Sequence, residues 1–228
     1  MKRSEINAIM RDADSFLHAH SFYLPPFAYW TPEVWTSKGT EVGEIIAREL
    51  GWDITDFGSG DYARVGLFIF TIRNSDPSPA RATPGKLYAE KVLICDPGQR
   101  TPMHFHWRKV EDIINRGGGD LVLQLYNAAE DDTLATNQVC VNTDGTQRTL
   151  NSGELLRLRP GESITIPNRL YHTFWSERER VLVGEVSLAN DDNSDNRFYE
   201  AVGRFPAIEE DEAPLYLLCK DYARYYRP

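Results

Sequence analysis

The stretch GQRTPMHFHWRKVEDIINRGG, residues 98–118, decides the fold. His104 and His106 stand two apart, and side chains alternate faces along a β-strand, so an extended chain here points both imidazoles the same way. Glu111 follows five residues after His106, and a turn near residues 107–109 returns its carboxylate toward the two rings. His172, in PGESITIPNRLYHTFW at residues 160–175, is the expected fourth ligand. Three imidazoles and one carboxylate suit divalent Mn, Fe, Co, Ni or Zn, whereas Ca and Mg prefer all-oxygen shells.

Outward from this stretch, the 228 residues are 41% hydrophobic, 11% aromatic and 26% charged. That is the composition of a globular chain, and no apolar run reaches the roughly 18 residues of a membrane-spanning helix. The net charge of −9 speaks against nucleic acid or an anionic membrane surface as partner, since both need concentrated Lys and Arg. A neutral small molecule is indifferent to it. The start MKRSEINAIMRDADSF has acidic residues where a signal peptide needs an apolar core, so a cytoplasmic location is expected. Cys95, Cys140 and Cys219 are too few and scattered for a disulfide framework, and buried reduced thiols are expected.

Residues 4–17 place Ile6, Ile9, Met10, Ala13, Phe16 and Leu17 at helical spacing, and His18 and His20 belong to the end of that helix. Residues 24–35, with Pro25, Pro26 and Pro32 among aromatic rings, read as a stiff extended strap. A second helix is expected over 40–50, stopped by Gly51. From residue 67 onward the period changes to that of strands, expected at 67–72, 88–95, 121–126, 138–141, 154–158, 163–166, 171–175 and 181–188, with a proline-rich loop over 74–85. Asp144-Gly145 marks a tight hairpin, and Gly117-Gly118-Gly119 reads as a strand-to-strand turn. Helix-like spacing returns in the tail, 215–227. The expectation is a mainly β jelly-roll barrel in one domain over 1–228, with a helical and extended arm (1–66), a barrel (67–200) and a tail (201–228).

Gly98, His104, His106, Glu111 and Gly118 resemble the first cupin motif in type and spacing, and Gly161, Pro167 and His172 resemble the second, with Ser176 where the family usually carries Asn. Within the cupins the chain is similar to the bacterial D-lyxose isomerases at residues 24–35, 88–92, 101–119 and 184–198, the last being GEVSLANDDNSDNRF. That resemblance implies a cupin barrel with flanking N-terminal helices, a metal held by His104, His106, Glu111 and His172, manganese or another divalent transition ion, and interconversion of aldose and ketose sugars such as D-lyxose and D-mannose.

Isomerisation needs a base to carry a proton between C2 and C1, and an acid for the oxygens. Glu185, flanked by Val183 and Val186 on a strand, is a candidate base; Glu111 offers a second carboxylate, and Lys109 a donor to a sugar oxygen. Lys91 interrupts the apolar strand YAEKVLIC and is a candidate for a hydroxyl, as are Asp192 and Asp195 in NDDNSDNR. The same ligand set also suits an Fe(II) dioxygenase or a non-catalytic sugar-binding cupin. Aromatic surface in the strap and tail leads to the expectation of a homodimer.

Overall fold

In the computed structural model, which describes residues 1–76 and 85–227, eleven strands pair in antiparallel fashion. They are β1 (Gly51–Thr55), β2 (Leu67–Arg73), β3 (Ala89–Cys95), β4 (His104–His106), β5 (Glu111–Asn127), β6 (Val139–Thr143), β7 (Thr146–Leu150), β8 (Leu155–Leu158), β9 (Ser163–Ile166), β10 (Leu170–Ser187) and β11 (Asn196–Phe198). The main path runs β1-β2-β3-β10-β5-β9-β6-β7; β4 joins β10 to β11, and β8 pairs with β5. This is the expected mainly β, cupin-like barrel. Among the described residues, four α-helices accompany it: α1 (Arg3–Ala19), α2 (Pro32–Thr36), α3 (Gly43–Ala47) and α4 (Tyr222–Tyr225).

Strand β2 reads as a continuous apolar run because both its faces are buried. Leu67 and Ile69 point into the barrel core with Leu93, Ile113 and Phe174, while Phe68 and Phe70 face outward under α1 and meet Ile6, Met10 and Leu17. Alternation along β1 follows from its register: Trp52 and Ile54 pair with Phe70 and Phe68, and Asp53 pairs with Ile69. Trp52 also donates from Nε1 to Ala28 O at 2.7 Å, tying the N-terminal arm to the sheet.

Several elements differ from the sequence reading. The strap contains a 3-10 turn at Pro26–Tyr29 and α2, because Pro at the first turn of a helix costs no hydrogen bond and presets φ. The second helix is only a 3-10 turn at Thr40–Val42 followed by α3, and Glu49 and Gly51, at φ 50° and 109°, swing the chain directly into β1. Cys140 is exposed on β6, whereas Cys95 and Cys219 are buried. Most of the loop expected over 74–85 lies outside the described residues. The Asp144-Gly145 hairpin is present between β6 and β7, with φ of 50° and 77°.

The largest difference is at Gly117-Gly118-Gly119. These glycines lie inside β5, and the strands expected at 171–175 and 181–188 are likewise one strand, β10. Leu125 lies opposite His172 and Glu111 opposite Ser187, so a flat ribbon would hold these two pairs about 45 Å apart at roughly 3.3 Å per residue. Yet His172 Nε2 is 3.1 Å from Glu111 Oε1. The ribbon therefore curls back on itself, and register shifts between Glu177 and Val183 mark the corner facing the glycines. Gly118 has φ +96°, and a Cβ there would stand 2.0 Å from Arg180 O. Gly118→Ala is expected to cost at least about 2 kcal/mol, measured by urea denaturation; a variant within experimental error of wild type would show that the corner tolerates a side chain.

Candidate active site

Strand pairing brings the chemistry-bearing side chains to one end of the barrel. His172 lies opposite His104, Glu185 lies between Lys91 and Ile113, and Ser187 lies opposite Glu111. Apart from Ser187, which lies just behind them, these side chains line one cavity whose walls include Phe57, Thr101, Phe174 and Phe198.

His104, His106 and His172 present ligand atoms that all lie within 4.8 Å of one another, a cluster able to hold a metal ion. His104 Nδ1 lies 2.8 Å from Pro102 O and His172 Nδ1 3.0 Å from Leu170 O. Carbonyls only accept, so both rings carry the proton on Nδ1 and turn an Nε2 lone pair inward. His172 Nε2 and Glu111 Oε1 are both buried without a hydrogen-bond partner among the described residues, though 3.1 Å apart. Two acceptors facing each other at this distance repel unless a cation lies between them. Adjacent ligands on an ion with bonds of about 2.1 Å stand about 3 Å apart, so the donor set suits a divalent transition ion. His106 Nε2 lies 3.5 Å from the same carboxylate oxygen.

The electrostatics act in the same sense. Burial, reinforced by the neighbouring His172 and His106, pushes His104 well below the ordinary histidine range, and burial with Lys109 nearby lowers His106. Neutral imidazole is the form that ligates metals. Burial alone would raise Glu111, but Lys109 and His106 outweigh it and hold the group well below the carboxylate range.

Lys109 bridges two carboxylates, with Nζ 2.7 Å from Glu111 Oε2 and 2.8 Å from Glu185 Oε1. Burial opposes its charge, yet Glu111, Glu185 and Asp192 more than compensate and raise it above the usual lysine range. Glu185 Oε1 also lies 3.4 Å from Lys91 Nζ and accepts from Ser187 Oγ at 3.3 Å. Every one of these contacts falls on Oε1. Among the described residues no hydrogen bond reaches Oε2, and Glu185 lines the cavity.

Asp192 lines the cavity and accepts from Asn190 Nδ2 at 2.9 Å and Arg204 at 3.0 Å; burial opposes its charge, but Arg204 and Lys91 hold it well below the carboxylate range. Asp195 is placed elsewhere. It does not line the cavity, and its carboxylate is taken up by the backbone N–H groups of Arg108 (2.9 Å) and Lys109 (3.0 Å) and by Arg108 Nε (3.2 Å). It clamps the turn that aims Lys109. Asp195→Ala is expected to cost about 3 kcal/mol by stranding two backbone donors and to lower kcat through misplacement of Lys109; urea denaturation and steady-state kinetics check this, and a variant equal to wild type in both contradicts it. His18 and His20 stay at the end of α1, with Nδ1 of each against an α1 carbonyl, Asp14 O and Phe16 O.

Sequence reasoning missed Arg204, Asn190, Asn196 and Phe198. Asn190 and Asn196 lie within a segment that had been singled out for its polarity, so the signal was there without the individual residues. Arg204, in VGRFPAIEE, has no local pattern; its partner Asp53 is 151 positions away.

A family model described as D-lyxose isomerase matches residues 1–222. The chain is 48% identical over 228 residues to the D-lyxose/D-mannose isomerase of Serratia proteamaculans, covering 99% of each. It is 45% identical over 229 residues to that of Escherichia coli O157:H7, covering 99% of this chain and 100% of the relative. In fold it is similar to the L-ribose isomerase of Acinetobacter sp. DL28 in complex with L-ribose, with TM-score 0.62, 17% identity, and 92% of this chain and 98% of that one covered. A match that runs from the first residue to the start of α4, at close to half identity with two relatives along their full length, places this chain in the D-lyxose isomerase family.

Proposed function

We propose that the protein is a metal-dependent aldose–ketose isomerase that interconverts D-lyxose with D-xylulose and D-mannose with D-fructose. The carrying observation is the convergence of His104, His106, His172 and Glu111 in a cavity that Glu185 also lines. The names of the two full-length relatives support the substrate class. His104, His106, Glu111 and His172 would hold the ion, with Mn2+ the proposed occupant among divalent transition metals. When bound, such an ion supplies Lewis acidity that polarises a carbonyl and stabilises negative charge on oxygen.

The chain's own groups then divide the work. Glu185 is the base: Lys109, Lys91 and Ser187 all approach Oε1, and Oε2 is left to take the C2 proton and return it to C1. Lys109, kept as an ammonium between Glu111 and Glu185, donates to the sugar oxygen on which charge develops. Lys91 and Asp192 face the cavity and bind hydroxyls. Glu111, held by Lys109 through its other oxygen, stays a carboxylate throughout.

The reading extends to a single cupin domain working in the cytoplasm as a homodimer. The strap and tail pack within this chain, so exposed Leu87, Tyr88, Val186 and Leu188 at neighbouring ends of β3 and β10 support the dimer instead. Metal-loaded protein incubated with a panel of aldoses in heavy water, watched by proton NMR, tests the activity. D-Lyxose and D-mannose are expected to yield their ketoses with deuterium entering at C1 of the ketose, at the same rate under strict anaerobiosis. No conversion of any aldose would refute the isomerase, and dependence on oxygen would favour an Fe(II) dioxygenase.

A further inference from the structure

We infer that Arg204 is the side chain that recognises the hydroxyl end of an open-chain sugar, with Asp53 as its positioning residue. This rests on the sugar-isomerase reading of the cavity and adds two residues to it. Arg204 lines the cavity with its side chain only 10% exposed. Its NH2 group is shared between Asp53 Oδ2 at 2.5 Å and Asp192 Oδ2 at 3.0 Å. NH1, also buried, has no hydrogen-bond partner among the described residues. A guanidinium is planar, so fixing one nitrogen with two carboxylates fixes the direction of the other. The result is a pre-aimed donor with nothing to donate to until a ligand arrives.

The surroundings say which chemistry it meets. Arg204 faces two carboxylates, and Lys91, 3.9 Å from one of them, lies 3.4 Å from Glu185 as well, so the cluster carries no surplus positive charge. A donor without surplus positive charge suits a neutral hydroxyl and gives no site for a phosphate, which needs several uncompensated donors. Phe198 lines the cavity, with its ring 5.7 Å from that of His104 and 5.9 Å from that of Phe57. This apolar wall is a surface for the C–H edge of an extended sugar whose reacting end is at the histidines and whose far hydroxyls reach Arg204. Asp53 belongs to β1, faces inward by the register with Ile69, and touches Arg204 without lining the cavity. It acts on the sugar only through the guanidinium.

The test compares D-lyxose with L-glyceraldehyde, which has the same carbonyl and the same C2 configuration but lacks the hydroxyls beyond C3. Arg204→Lys keeps the charge for Asp53 and Asp192 and removes the fork; Asp53→Asn keeps the shape and releases the guanidinium. Both are expected to lose at least tenfold more kcat/KM on D-lyxose than on L-glyceraldehyde, with the loss residing in KM. Equal losses on the two substrates, or no loss with D-lyxose, overturn the inference. Calorimetric binding of D-arabinitol to metal-loaded protein gives a readout apart from turnover: wild type binds, and Arg204→Lys weakens binding at least tenfold. Undiminished binding, or no binding by wild type, overturns it as well. A wild type that binds the pentitol through Arg204 yet isomerises nothing would sink the isomerase reading and leave this one standing.

Discussion

Replacing Glu185 by Gln is expected to lower kcat for D-lyxose about a thousandfold while the metal content of the purified protein stays that of wild type. The amide matches the carboxylate in shape but cannot accept a proton, and general-base removal typically costs about 10²–10⁴ in rate. Glu185 is no part of the histidine cluster; it reaches Glu111 only through Lys109, which lies 2.7 Å from one carboxylate and 2.8 Å from the other. Removing its charge therefore should not release the ion. Entry of solvent deuterium at C1 of the ketose should fall in step with kcat, because both follow the same proton. A variant that keeps more than a tenth of wild-type turnover would move the base elsewhere, and Glu111 would then be the next candidate.

Replacing His172 by Ala is expected to abolish turnover through loss of the ion. His172 is 1% exposed, its Nδ1 is anchored on Leu170 O, and its Nε2 points at Glu111 Oε1. Without it two neighbouring histidines and the carboxylate remain, too few to hold the ion well. Elemental analysis of the purified variant should show little metal. Thermal unfolding gives a second measure: for wild type, metal at a hundredfold excess over Kd adds about 2.7 kcal/mol, or about 5–10 °C in Tm for a chain of this size. His172→Ala should show no such rise. A variant that binds metal as tightly as wild type would remove His172 from the ligand set.

The fold and the metal cluster were legible because they depend on short-range periodicity. His104 and His106 share a face by strand alternation, and the fold follows from many short strands and two histidine-bearing segments. What the sequence left open depends on partners far along the chain. A run of three glycines reads alike whether it turns a chain between strands or bends one strand, and only the pairing of β5 with β10 distinguishes the two. Asp192 and Asp195 are chemically identical in a polar segment, yet one faces the cavity and the other faces backbone N–H groups. The β1 strand was hidden behind Gly51, which looks like the end of a helix from one side and starts a strand from the other.

The curl of the β5–β10 ribbon has a mechanical consequence. Glu111 and His172 sit at opposite ends of the same long ladder and meet only because the ladder is rolled up. An ion gripped by both works as a buckle across a belt, so unrolling the belt and releasing the ion are one event. The amide groups of the corner, far from any sugar, should thus exchange with solvent more slowly whenever the buckle is fastened.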